Sequence, residues 1–238
     1  MKTRNLFSLA LLGLLSAACT QQPPKDSYVI SGTIEGLPDS AHVQLFPVCH
    51  EESAPIADTL AIGGKFTFVG KAEEPRAALL IVKDAYGSRR LMLENTAIEI
   101  KGNVTSKEVD GTPLYNLETL TVEGSPLTDR YDSLMQVRAQ MDALYAANDE
   151  KHKAINEALQ EAYKTKDQKK IKELRESEAG KQLEADTKLF FQTVDSIYHK
   201  AVMDNKDTYW GPLLMISLTS YLNEDMRPWY DALSPAAQ

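Results

Sequence analysis

Cys49 and His50 are the one place in this chain where a thiol adjoins an imidazole. A thiolate beside a base is the pairing that reactive and metal-binding cysteines use. Adjacent residues on an extended strand point to opposite faces, however, which is poor geometry for a nucleophile and its base. Cys49 therefore reads as a loop cysteine, and with one other cysteine in the sequence, Cys19, no disulfide framework is expected. His42, His152 and His199 lie far apart and match no metal-ligand spacing, so they read as surface or strand-edge residues. Glu51–Glu52 and Glu73–Glu74 are adjacent carboxylates, but an acid–base pair needs an apolar pocket to separate its two pKa values, and these read as solubilising charge. No G-x-G-x-x-G or P-loop array occurs, which argues against a nucleotide site. The expectation is a chain with no catalytic residue, no metal and no cofactor. Tyr209, Trp210, Tyr221, Trp229 and Tyr230 are able to line a groove for sugar or peptide. Their spacing also suits anchors that dock short helices, which is the reading it favours. Arg89–Arg90, beside a turn, reads as a gatekeeper at a strand end.

Cys19 has a different chemistry. Lys2 and Arg4 precede the apolar run Leu6 to Leu15, and the small residues Ser16, Ala17 and Ala18 lead directly to the cysteine. This is the layout of a secretory signal, and the run is too short for a permanent membrane span. A thiol immediately after the cleavage point resembles a bacterial lipoprotein signal, in which the cysteine receives a diacylglyceryl group and becomes the first mature residue. Ser16 stands where Leu is usual, with Leu15 one place further back. Residues 1–18 are then removed and Cys19 is the attachment to a membrane, each buried methylene contributing about 0.8 kcal/mol. Residues 19–27 are polar and proline-bearing and read as a tether. Thr20 rather than Asp follows the cysteine, which by resemblance to sorting signals points to the periplasmic face of the outer membrane.

The elements that must position these residues fall into two regions. At 238 residues, 43% of them hydrophobic and 25% charged, the chain has ordinary globular composition. Without Lys2 and Arg4 it carries 24 basic against 34 acidic residues, a net charge of −10 that repels phosphate backbones and excludes nucleic acid as a partner. Residues 28–124 alternate apolar and polar residues at the period of half-buried strands. Strands are expected at Tyr28–Glu35, Ala41–Phe46, Ile56–Ile62, Lys65–Gly70, Ala77–Asp84, Arg89–Glu94 and Ala97–Lys101, with a weaker one at Leu117–Glu123. Gly63–Gly64 is the clearest hairpin turn, because both residues can take the positive φ that a primed turn requires. Ala77 to Val82 is continuously apolar and reads as a central strand. Short sequential turns predict an antiparallel sandwich or partly open barrel.

Residues 125–238 read as helical. Ser125–Pro126 is a cap followed by a proline at the first helical position. Leu127, Tyr131, Leu134, Val137, Met141 and Leu144 then form one apolar stripe, and Asn148–Asp149 restarts the pattern. Lys164 to Lys181 is almost all polar, with only Ile171 and Leu174 to bury, and reads as a solvated arm or a loop. Residues 139–205 are expected to form a long antiparallel pair, followed by short helices at Trp210–Leu222 and Met226–Leu233. The fold class is thus α+β, a β domain followed by a helical domain. Ser234–Pro235 repeats the cap-and-proline form with three residues after it, which fits either a frayed terminus or a segment that leads into a longer parent.

Tyr-x-Ile-x-Gly-x-Ile at Tyr28 to Ile34, the strand at His42, Asp58–Thr59 before Gly64-Lys-Phe-Thr-Phe, and Gly70-Lys-Ala-Glu-Glu-Pro75 together resemble a domain of unknown function of envelope lipoproteins in anaerobic gut Gram-negative bacteria. There it commonly precedes a helical segment and a thioredoxin-like domain of the thiol-disulfide oxidoreductase type. This chain has no Trp-Cys-x-x-Cys, so the resemblance transfers no catalytic residue. The expected function is a lipid-anchored envelope protein that binds or positions a partner, such as another envelope protein, without catalysis. One alternative is the accessory region of a thiol-disulfide oxidoreductase. Another is a glycan- or peptide-binding lipoprotein that uses the terminal aromatics.

Overall fold

Alternation of buried and exposed residues along the N-terminal strands decides which face of each turns inward. The computed structural model describes residues 26–48, 54–219 and 222–237, and among these it holds ten strands and six helices, an α+β chain as expected. The chain divides into two compact units: residues 1–89 with 93–124, and residues 90–92 with 125–238.

In the first unit, β1 (Tyr28–Glu35), β4 (Lys65–Gly70), β7 (Ala97–Asn103) and β10 (Thr121–Glu123) form one four-stranded sheet in the order β10-β7-β1-β4. A second sheet has the order β3-β2-β5-β6, with β2 at His42–Pro47, β3 at Ala57–Leu60, β5 at Arg76–Val82 and β6 at Ser88–Leu93. β5, the apolar run, is an interior strand of that sheet. Ile30, Ile34, Leu45, Leu80, Ile98, Ile100 and Leu117 are at most 1% exposed and make this unit's core. Phe66 lies across Gly32 of β1, where any Cβ would run into its ring.

Two features depart from a run of sequential hairpins. β1 pairs in parallel with β7, Ile30 opposite Ile98 and Gly32 opposite Ile100, while its antiparallel partner is β4. The Gly63–Gly64 turn has the expected positive φ values, +57° and +73°, and Ile62 and Lys65 bridge across it. Beyond that bridge β3 continues beside β2 and β4 beside β1, so the turn joins two sheets rather than one hairpin. A further hairpin, β8 (Ser106–Val109) with β9 (Thr112–Tyr115), lies where no strand was expected. Only the end of the expected Leu117–Glu123 strand is extended, since Leu117–Thr119 is a 3-10 turn.

In the second unit α1 (Pro126–Lys151) begins where the Ser-Pro pair predicts. The Ser125 hydroxyl accepts from the Thr128 N–H, and Pro126 sits at the helix start. α2 (Lys153–Lys164), α3 (Gln168–Glu176) and α4 (Glu178–Met203) follow. α1 and α4 run antiparallel: Tyr145 meets Phe190, while Lys151 at the end of α1 and His152 just after it meet Asp186, earlier in α4. The break after α1 falls at His152 rather than at Asn148–Asp149, and Leu144 of the expected stripe is 48% exposed. The polar stretch from Lys164 to Lys181 is a turn plus α3 and the start of α4. Asp167 and Ser177 cap the two helices, and Ile171 is the buried anchor. α5 (Trp210–Leu218) and α6 (Arg227–Asp231) pack with the end of α4 through a core of Val202, Leu214, Met215, Leu218 and Leu233.

Candidate functional site

The β8–β9 hairpin closes on Asp110 and Gly111, both at positive φ (+50° and +80°). It is fastened to the turn before β6 by two backbone bonds: the Tyr86 N–H donates to the Pro113 carbonyl at 2.7 Å and the Tyr115 N–H to the Tyr86 carbonyl at 2.9 Å. Gly87, at φ +100°, lies so close to the Tyr115 carbonyl that a side chain there would collide with it. Between hairpin, turn and the Leu117–Thr119 helical turn lies a cleft of about 510 Å³. Its polar wall is Ser88, Thr105, Ser106, Lys107, Asn116 and Glu118, and Leu114, Tyr115 and Leu117 are its apolar part. The side chains of those six polar residues make no hydrogen bond or ion pair within the described residues. Polar residues that line a concavity and whose side chains the fold does not use are the features of a ligand site. The residues lie within a stretch of ordinary loop composition, and without the unexpected hairpin nothing in the sequence brings residues 88, 107 and 118 together.

The terminal aromatics do not all converge. Tyr209 and Trp210 meet edge to face, with ring centroids 6.0 Å apart. Trp229 packs against the α4–α5 core and the His199 ring. Tyr230, 41% exposed, lines a groove of about 520 Å³ with Met215, Leu222, Asn223, Glu224, Met226 and Arg227. Tyr221 lies outside the described residues, as do Cys19, Cys49–His50 and Glu51–Glu52. Glu73 pairs with Lys71 at 3.2 Å, a surface contact.

Charged groups act as braces between elements, at the surface for Asp58 and further in for His152, Arg89 and Arg90. Asp58 on β3 accepts from His42 Nδ1 at 2.9 Å and from the Gln44 amide, both on β2, and these two bonds, His42 first, hold its carboxyl below the usual range. Asp186 on α4 takes Lys151 Nζ and His152 Nε2, each at 2.7 Å, and the Gln182 amide at 3.0 Å. Lys151 first and His152 second pull its carboxyl down to about 2. His152 is thus buried rather than superficial, because the junction of α1 and α2 turns its ring against α4. Arg89–Arg90 is not a solvent-facing gatekeeper either. Arg89 is 9% exposed and donates to the Leu120 carbonyl. Arg90 donates to the Tyr131 hydroxyl at 3.0 Å and to the Ser217 hydroxyl, and lies over the Tyr131 ring. A strand-end arginine finds such partners through tertiary packing, which its neighbours in sequence do not disclose.

Residues 28–131 match a family model described as Domain of unknown function (DUF4369). The match takes in all ten strands and the first turns of α1 as far as Tyr131. It includes every residue of the β8–β9 cleft. No curated protein and no solved structure matches the chain.

Proposed function

We propose that this chain is a lipid-anchored cell-envelope protein whose folded part works as a binding or positioning module rather than a catalyst. The observation that carries the binding role is the β8–β9 cleft, whose six polar side chains are left unused by the fold. The two carboxylates held below their usual range, Asp58 and Asp186, lie elsewhere and tie strand to strand and helix to helix. The anchor is Cys19, supported by the basic, apolar and small residues that precede it, and its proposed site is the periplasmic face of the outer membrane. Among the described residues no helix is long and apolar enough to cross a membrane.

The anchoring half is tested by metabolic labelling with radioactive palmitate and partition into detergent phase. Wild type takes label and enters the detergent, and Cys19→Ser does neither. A Cys19→Ser protein that still partitions into detergent refutes the anchor. A second reading, the accessory region of a thiol-disulfide oxidoreductase, draws on the domain match at 28–131 and on the company that the resembling domain keeps. An in-frame coding sequence that continues into Trp-Cys-x-x-Cys favours it.

A further inference from the structure

Resting on that binding reading, we infer that the β8–β9 cleft takes a neutral saccharide of about disaccharide size. Its volume, about 510 Å³, falls within the ~300–1,000 Å³ of small-molecule sites. Chemistry narrows the class. Ser88, Thr105 and Ser106 offer hydroxyls, each able to donate and accept, and Asn116 offers one donor and one acceptor side by side. Vicinal sugar hydroxyls present the same alternation. The lining has one basic residue, Lys107, and one acidic residue, Glu118, and their charges cancel. A phosphorylated or uronic ligand would meet the Glu118 carboxylate, and a cationic one the Lys107 ammonium. A neutral ligand avoids both conflicts.

The apolar share of the lining agrees. Leu114, half-buried on β9, suits the C–H face of a pyranose, while an apolar ligand would cover polar side chains of the lining and leave them without partners, at a penalty for each. An extended peptide added along the outer edge of β8 would make main-chain bonds there and leave Asn116 and Glu118 idle. The frame is already set by the Tyr86–Pro113 and Tyr115–Tyr86 bonds, so binding has little backbone to order.

The test is saturation-transfer NMR on the full chain in phosphatidylcholine vesicles. The probes are maltose, cellobiose, xylobiose, N,N′-diacetylchitobiose, digalacturonate and tri-alanine. Magnetisation passes to at least one neutral disaccharide and to digalacturonate more weakly. In Asn116→Ala/Glu118→Ala, which alters only exposed side chains, binding falls by roughly thirtyfold, the loss of two hydrogen bonds. Glu118→Gln, which keeps the volume, restores most of it. The saccharide assignment is overturned if no neutral disaccharide receives magnetisation, or if the double variant binds as well as wild type. Tri-alanine binding that the double variant abolishes overturns the saccharide class and leaves the binding module standing. A cleft indifferent to all six probes removes both.

Discussion

Thr128 is the residue whose replacement tests most directly how α1 is joined to the strand residues that group with it. Its hydroxyl accepts from the Met92 N–H at 2.9 Å and from the Ser125 hydroxyl at 2.7 Å, and its own N–H is the one that Ser125 caps. Thr128 and Ser125 are fully buried, and Met92 is 1% exposed, so water cannot replace a lost partner. In Thr128→Val the shape is kept and the acceptor is gone. The Met92 N–H is stranded, at about 1–3 kcal/mol. The Ser125 hydroxyl keeps the Met92 carbonyl, 3.5 Å away. Thr128→Ser keeps the acceptor and loses one buried methyl, about 1 kcal/mol. Helix propensities of Val and Ser are close, so they do not decide the comparison. Val is therefore less stable than Ser by roughly 1–2 kcal/mol, or about 2–8 °C in Tm for a chain of this size. Circular dichroism melts of wild type and the two variants read this order. A Val variant as stable as the Ser variant refutes the claim that the hydroxyl serves as a buried acceptor.

Three other perturbations discriminate equally well. Gly63→Ala meets open space and carries only the strain of its positive φ, about 1 kcal/mol, whereas Gly64→Ala drives a Cβ into the Ile34 carbonyl beside the Ile34 N–H to Gly64 carbonyl bond. Urea midpoints are expected to fall further for Gly64→Ala, and equal midpoints would contradict the turn geometry. The Asp186 carboxyl sits near 2 in the folded chain against an ordinary 3.8, so the brace stabilises in full above the ordinary value and is lost as pH falls through 3.8 towards 2. Wild type should lose stability across that window and Asp186→Asn should be flatter there, as acid titration by far-UV circular dichroism would show. Thiol labelling of the mature, delipidated chain should find one reactive cysteine, Cys49, and two labels would show that Cys19 is not acylated.

Much of the architecture was legible because it depends on short-range pattern. Tyr28–Glu35 and Lys65–Gly70 have the bounds that alternation assigns them, and Ser125–Pro126 starts α1 by the chemistry of capping alone. What escaped depends on partners distant in sequence. Nothing within Tyr28–Glu35 says that its neighbours are β4 and β7, since parallel pairing is decided by the crossover and not by a turn. The Gly63–Gly64 turn illustrates the limit: its φ values follow from two glycines, yet the flanking strands go to different sheets because each finds a longer partner there. Arg90 and His152 follow the same rule, since each finds its partners, Tyr131 and Ser217 or Asp186, only through elements distant in sequence.

The cleft was illegible for a more instructive reason. Ser106 to Val109 has no hydrophobic alternation, and all but Val109 are exposed, so no pattern marks it as a strand. Its pairing with Thr112–Tyr115 is held by the Asp110–Gly111 turn and by the two bonds to Tyr86, with Tyr115 the one buried side chain of the two strands. A hairpin that buries so little contributes little to stability by itself. Its polar side chains are accordingly free to face a concavity instead of a core. The terminal aromatics, by contrast, announce themselves in sequence because they are bulky and apolar, and that same property packs Trp229 against the α4–α5 core. Bulk that marks such residues in sequence gives packing a claim on Trp229 but leaves Tyr209 and Tyr230 exposed, while Asn116 and Glu118, which carry no such mark, line the cleft with side chains that the fold does not use.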